Sequence, residues 1–182
     1  QVAVALGDYA EARQFLEESL QTAGAAEIRH LHVHALGNLS ELNLAAEDYQ
    51  AAKQDAQQAL ALAREIEEQF SIAAQLSHLG AVEMMLSEYA TAENCFQEAL
   101  DIAIGLGNRW EQASCLNRLG EVMWNLDRPH ESQRYFQQAL STARDIGAAS
   151  IALNSLQGLA NHQADRGDTQ RSLELAYFIL HH

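Results

Sequence analysis

Three histidines lie close together in the segment HLHVH, residues 30–34. On a helix, His30 and His34 are four residues apart and share one face, whereas His32 points elsewhere. Two neutral imidazoles at this spacing can hold a metal ion, but a zinc site takes three or four protein ligands. Because the sequence offers no evident third ligand, we interpret His30 and His34 as a surface pair and predict no metal site.

The sequence lacks the motifs of the common enzyme classes. It contains no glycine-rich phosphate-binding loop, no HExxH metal motif and no GxSxG nucleophile motif. The segment GLGN, residues 105–108, has two glycines, but we expect it to end a helix rather than to bind phosphate. The many carboxylates fall on helix faces that we expect to be solvated. We therefore predict that the chain is not an enzyme and has neither catalytic residues nor a cofactor.

Charge and cysteine content restrict the partners and the compartment. The 182 residues include 25 acidic and 11 basic ones, for a formal net charge of −14. This excess repels nucleic-acid phosphates and anionic lipids, so we predict no direct nucleic-acid partner and no membrane partner. No apolar run approaches the ~20 residues of a membrane span. Cys95 and Cys115 are too few for a disulfide scaffold, and we expect free buried thiols in the cytoplasm.

Leucine and small residues recur along the sequence with a period of 40 residues. The stretch LSEYATAENCFQEAL, residues 86–100, is repeated with changes in stretches of this chain that begin at Leu6, Ala46 and Leu126. Repetition on this scale is typical of arrays in which each unit stacks on its neighbours. The leucine columns are Leu36, Leu76, Leu116 and Leu156; Leu39, Leu79, Leu119 and Leu159; and Leu20, Leu60, Leu100, Leu140 and Leu180.

Each period is predicted to hold two helices, as over residues 69–86 and from about Glu88 to Ala103, because apolar residues recur there at spacings of three and four. Asp8, Asp48 and Asp168 are good N-cap residues for the second helices. Pro129 suits the first turn of a helix. We therefore predict an all-α protein, an α-solenoid of stacked helix hairpins with about four and a half repeats.

The predicted repeats form one domain over residues 1–182. Because the chain begins in the middle of a repeat, we interpret it as a fragment of a longer array. The repeats are 1–27 (partial), 28–67, 68–107, 108–147 and 148–182.

The repeated residues resemble those of the tetratricopeptide repeat. Its leucine–glycine pair stands at Leu79–Gly80 and Leu119–Gly120, and its small–aromatic–small series stands at Ala92, Phe96 and Ala99. The period of 40 is longer than the usual ~34 residues. Such extended repeats are similar to the sensor regions of bacterial STAND ATPase regulators (MalT-like and AfsR-like), to the LGN adaptor and to kinesin light chain. This resemblance implies a non-catalytic sensor or interaction module, with any ATPase domain elsewhere in a longer protein.

A second stripe on the first helix of each hairpin is predicted to face a binding groove. It varies between repeats and carries amides, histidine and charge, unlike the leucine columns. Trp124 is either an anchor for a partner or packing between hairpins, and Arg118 either clamps a carboxylate or pairs with Glu121. Trp110 and Phe70 are expected to pack at helix ends. The predicted groove residues are Asn38, Glu41, His78, Met84, Met85, Asn117, Arg118, Glu121, Trp124, Asn125, Asn154 and Asn161.

Two functions follow from this pattern. One is a module of a bacterial signal-transduction or transcriptional regulator that binds a protein, a peptide or a small inducer in the groove. The alternative is a structural scaffold or oligomerisation adaptor without a groove ligand. A partner of mixed or basic charge suits the net charge of −14, and self-association through exposed repeat ends is a further expectation. The sequence leaves open whether His181 and His182 are native or a tag.

Overall fold

The computed structural model describes Gln14, Glu18 and residues 29–165. This part of the chain is all-α, as predicted, and residues 29–165 form seven helices without a strand. Each helix has 17 residues, and three residues separate it from the next. The helices are α1 (Arg29–Ala45), α2 (Tyr49–Glu65), α3 (Gln69–Met85), α4 (Tyr89–Gly105), α5 (Arg109–Asn125), α6 (Pro129–Asp145) and α7 (Ala149–Asp165).

The connections between these helices share one backbone conformation. The middle residue of each has a positive φ, between 56° and 69°. The third residue donates its N–H to a carbonyl five residues earlier, as Asp48 does to Asn43 and Asn108 does to Ala103, both at 2.9 Å. This 6→1 bond is that of a Schellman motif, which satisfies carbonyls left free at a helix end. Glycine fills the middle position at Gly107 and Gly147, and other residues fill it at Glu47, Glu67, Ser87 and Asp127.

The two glycines at the end of α4 give a prediction about stability. A methyl group would meet nothing within 4 Å at Gly105 or at Gly107, but Gly107 has a φ of +67°. Alanine at position 107 should lower the free energy of unfolding by about 1–2 kcal/mol, because a left-handed conformation disfavours a β-carbon. Alanine at position 105, inside the helix, should raise it by up to about 1 kcal/mol. Urea unfolding of both variants checks the opposite signs, and equal effects would contradict the backbone explanation.

Side chains cap the N-termini of two helices, α2 and α5. The first of these caps was predicted from the sequence and the second was not. Asp48 accepts a hydrogen bond from the N–H of Ala51 at 3.2 Å, which confirms it as an N-cap. Asn108 caps α5 in the same way by accepting from Glu111 at 3.2 Å. Pro129 stands in the first turn of α6, where its missing N–H has no cost. The predicted caps Asp8 and Asp168 lie outside the described residues.

The helices form two compact units, and α4 spans the division between Cys95 and Phe96. In the first unit, α2 packs on α1 and α3, and α1 also contacts α3. In the second unit, α6 packs on α5 and α7, and α5 also contacts α7. The predicted leucine columns form much of the buried core, for example Leu36, Leu76, Leu116 and Leu156. Leu20 and Leu180 lie outside the described part of the chain. The fold of stacked helix hairpins is thus confirmed within each unit.

One contact between hairpin helices is made in opposite directions in the two units. In the first unit, Ser40 Oγ on α1 donates to the carbonyl of Ala52 on α2 at 2.8 Å. In the second unit, Ser132 Oγ on α6 donates to the carbonyl of Gly120 on α5 at 2.7 Å. Positions 40 and 120 are two periods, or 80 residues, apart, as are 52 and 132. The same pair of positions therefore keeps its hydrogen bond although the serine has changed sides.

The expectation that Phe70 and Trp110 pack at helix ends is wrong. Each lies in the first turn of a first helix, at the second residue of α3 and of α5. Each side chain is 56% exposed. The apolar contacts near these helix ends are instead made by smaller residues, such as Ala113 and Ala143 in the second unit.

Candidate functional site

The predicted groove residues of the first unit lie on α1 and α3. Asn38 and Glu41 are exposed on α1, and Met85 is exposed at the end of α3, whereas His78 and Met84 are half-buried. His78 Nε2 lies 3.1 Å from Glu41 Oε1, which joins the two first helices of the unit. The first helices of this unit therefore carry one hydrogen-bonded carboxylate–imidazole pair in addition to an exposed amide and two methionines.

This contact changes the pKa of the Glu41 carboxyl. The hydrogen bond from His78 lowers the pKa of the Glu41 carboxyl from its ordinary 4.5, although partial burial opposes the shift. The folded protein then binds this proton less tightly than the unfolded chain does. The contact therefore stabilises the fold above about pH 4.5, and this contribution is lost as the pH falls through the lower folded value.

Replacing His78 with leucine should return the pKa of Glu41 towards 4.5, because the hydrogen-bond donor is gone. Carboxyl-carbon NMR titration of Glu41 in both proteins measures the change. Because Glu41 is largely exposed, the effect on stability should be small. An unchanged pKa in the leucine variant would show that His78 does not cause the shift.

In the second unit, Arg118 pairs with Glu121 on the surface of α5. Arg118 Nη1 lies 3.0 Å from Glu121 Oε2, so the structure realises the pairing alternative for Arg118. Asn117 Nδ2 donates to the other carboxylate oxygen, Glu121 Oε1, at 2.8 Å. The Glu121 carboxylate thus already neutralises the Arg118 charge, and a partner carboxylate would compete with it for the guanidinium.

Asn117 lies deeper than the prediction of an open stripe implies. Its side chain is buried, because it faces the adjacent first helix, where Ser155 Oγ of α7 lies 2.9 Å from Asn117 Oδ1. Asn125, Asn154 and Asn161 are exposed on α5 and α7. Asn125 Nδ2 also donates to the carbonyl of Glu121 at 2.8 Å, which anchors it on the helix. The exposed amides of this face therefore come from both first helices of the unit.

Trp124 is held in place by a chain of contacts through three helices. Its ring meets the His162 ring of α7 edge-on, with centroids 4.4 Å apart. His162 is only 2% exposed, and its Nε2 lies 2.8 Å from Ser132 Oγ of α6. Because the Ser132 hydroxyl donates to the Gly120 carbonyl, the His162 nitrogen is the donor in this contact. Trp124 nevertheless stays 36% exposed, so it both packs between hairpins and presents a fixed aromatic surface.

His162 and Ser132 are absent from the sequence-based predictions of the site. The 40-residue columns could have indicated them. The three residues that precede His162 in its column are Leu42, Val82 and Val122, which are all buried and apolar. In the column of Ser132, the residues at positions 52 and 92 are likewise apolar, since both are alanine. Two polar residues thus replace apolar ones in the same pair of hairpins, which indicates that they bond to each other.

Histidine, cysteine and carboxylate side chains are further groups of the described residues that bear on function. No group of three histidine, cysteine, aspartate or glutamate side chains there could hold a metal ion. His30 and His34 are exposed, in agreement with a surface pair. Cys95 and Cys115 are buried free thiols, as predicted. None of the helices described here is long and apolar enough to cross a membrane.

The geometry and the repeated residues match a known family. Residues 71–145 match the family model of the tetratricopeptide repeat. The chain has the tetratricopeptide-repeat fold. Tetratricopeptide repeats serve in general as protein-interaction modules, in agreement with a polar, partly aromatic surface on the first helices. No curated protein sequence matches the chain significantly.

Solved tetratricopeptide-repeat structures confirm this fold at low sequence identity. The nearly identical TPR-like repeats of a Podosopora anserina kinesin light chain have a TM-score of 0.75 and 16% identity, over 97% of this chain and 88% of that one. A STAND signal-transduction ATPase with a tetratricopeptide repeat sensor, from Pyrococcus horikoshii, has a TM-score of 0.83 and 15% identity, over 98% of this chain and 27% of that one. A Rap protein complexed with Competence and Sporulation Factor has a TM-score of 0.82 and 15% identity, over 96% and 49%.

Proposed function

We propose that this chain is the ligand-binding array of a larger bacterial signal-transduction or transcriptional regulator, and that the first helices of its second unit, α5 and α7, bind an extended peptide segment of a partner. The observation that carries the proposal is Trp124, an aromatic ring 36% exposed, fixed by His162 and followed in the chain by the exposed amide of Asn125. Aromatic side chains held in place supply much of the energy of protein interfaces at low entropic cost.

The exposed amides of α5 and α7 favour a peptide over a small apolar ligand. Asn154 and Asn161 are exposed on α7, and Asn125 is exposed on α5. An asparagine amide offers both donors and an acceptor, which is what an extended backbone requires. The paired Arg118 and Glu121 add no net charge, so this face does not select a strongly acidic ligand.

Two of the similar structures support a sensor role. One is a STAND protein with a tetratricopeptide repeat sensor, and the other is a Rap protein in complex with Competence and Sporulation Factor. We place the regulator in the cytoplasm, which agrees with the two buried free thiols. In this proposal the array is not catalytic and needs no cofactor, and any ATPase domain lies elsewhere in the longer protein.

The proposal is tested by panning a displayed library of random peptides on the immobilised chain. Peptides selected by the native chain should lose at least ten-fold in affinity for the variant Arg118→Ala/Trp124→Ala/Asn125→Ala. A matched control, Gln137→Ala/Gln138→Ala/Arg144→Ala, removes three exposed side chains from the second helix α6. Circular dichroism should show the same helicity for all three proteins.

Retained affinity in the control variant would locate binding on the first helices. If selected peptides bound the α5 variant as tightly as the native chain, or if the α6 control lost binding equally, the proposed face would be wrong.

A further inference from the structure

Exposed apolar side chains of the second unit lie where α4 joins α5 and where α6 joins α7. They are Ile104, Leu106, Trp110 and Ile146, each between 38% and 56% exposed. Arg109 Nη2 at the start of α5 lies 3.3 Å from Asp145 Oδ2 at the end of α6. Trp110 follows Arg109 in the chain and Ile146 follows Asp145, so this ion pair brings the two connections to one edge of the unit.

The fold of the second unit does not need these exposed side chains for its core. At this end of the unit the core is made by Ala113, Ala143 and Ile151, which are buried beneath the edge. An indole and several aliphatic side chains left in water at one edge carry a hydration cost that a structural role does not explain. Several apolar side chains that are about half exposed at one edge indicate an interaction site. It is separate from the peptide-binding face, because Trp124 lies at the opposite end of α5.

The charges at this edge identify the occupant. Arg109 and Asp145 are both about half exposed, and they place one positive and one negative group side by side between apolar residues. A two-fold interface joins a surface to itself, so it requires a patch that is its own complement. A basic partner would be attracted to the acidic surfaces that give the chain its net charge of −14, rather than to this neutral edge.

We infer that this edge binds the same edge of a second copy of the chain, in a two-fold dimer with Leu106 and Trp110 at its centre. In such a dimer, Arg109 of each copy faces Asp145 of the other, while the peptide-binding face stays open. The inference does not depend on the proposed peptide, since it needs no ligand.

Sedimentation equilibrium of the native chain over a range of concentrations tests the dimer. We expect a mass that rises with concentration to twice 20.1 kDa. The variant Leu106→Ser/Trp110→Ser should stay at the mass of one chain, while the control Leu31→Ser, which removes a similarly exposed side chain from α1, should dimerise like the native protein. The single variant Asp145→Arg should weaken the dimer at least ten-fold, and Arg109→Glu/Asp145→Arg should restore it.

Tryptophan fluorescence reports on the edge itself. In the variant Trp124→Phe, the emission of Trp110 should shift to shorter wavelength as the dimer forms, because the indole leaves water. The inference is overturned if the native chain keeps the mass of one copy at every concentration, which would leave the edge to another protein. It is overturned equally if Leu106→Ser/Trp110→Ser dimerises like the native chain, or if Trp110 emission does not change on association.

Discussion

Replacing Lys53 with methionine is expected to lower the free energy of unfolding by about 2–4 kcal/mol. Lys53 Nζ on α2 lies 2.9 Å from Glu83 Oε2 on α3, and the Glu83 side chain is only 2% exposed. Removing one partner of a buried ion pair costs about 3–5 kcal/mol, because the other charge stays buried without compensation. We expect somewhat less here, since the Lys53 side chain is 29% exposed and water can approach the pair.

The opposite half of the same pair should behave differently. Replacing Glu83 with methionine should change the free energy of unfolding by less than about 1 kcal/mol or raise it, because Lys53 can turn its ammonium to solvent. The second unit supports this substitution, since Met123 occupies the equivalent position there and is fully buried. Urea unfolding of both single variants and of the double variant measures the asymmetry. Equal losses for Lys53→Met and Glu83→Met would contradict it.

Alanine at Gly158 is expected to lower the free energy of unfolding by about 2–3 kcal/mol. A methyl group there would lie 2.5 Å from Cζ of Phe136, and one at Gly120 would lie 2.8 Å from Cδ1 of the same ring. The ring of Phe136, on α6, is therefore held between backbone of α5 and backbone of α7. Overpacking of a filled core costs about 1–3 kcal/mol, and the buried ring leaves little room for relaxation here.

A shorter side chain at position 136 should relieve this clash. The double variant Phe136→Leu/Gly158→Ala should lose less stability than the sum of the two single variants, with a coupling of about 1–2 kcal/mol. Gly37→Ala is the matched control, because the nearest atoms there belong to the flexible end of Gln75 rather than to a ring. Additive losses, or an equal loss at Gly37, would show that the ring is not the obstacle.

The sequence was sufficient to predict the helices because their positions follow from a period. Residues 69–86 were predicted as a helix, and the structure has one at Gln69–Met85. The leucine columns and the caps repeat, so each copy reinforces the reading of the others. Residues that break the columns were harder to place. His162 stands in an apolar column, and its partners Trp124 and Ser132 are 38 and 30 residues away in the sequence.

The burial of individual side chains also could not be predicted from the sequence pattern. Asn117 has the polarity of a surface residue, but it is buried against Ser155 of the next first helix. Trp110 has the polarity of a core residue, but it is exposed because small residues fill the space beneath it. Both outcomes depend on the volume of neighbours in the adjacent hairpin, which a column of one residue type does not record. The boundaries of the repeats and the residues that contact a ligand remain predictions.

The uniform helices and connections determine which length changes the chain can tolerate. Loss of one residue inside a helix would turn every later side chain of that helix by about 100°, moving buried leucines towards solvent. Loss of two consecutive helices with their connections would instead leave each remaining residue on its original face. Genetic variation in length should therefore occur in blocks of one hairpin. Repeats can then be gained, lost or exchanged while the buried contacts between neighbouring hairpins are kept.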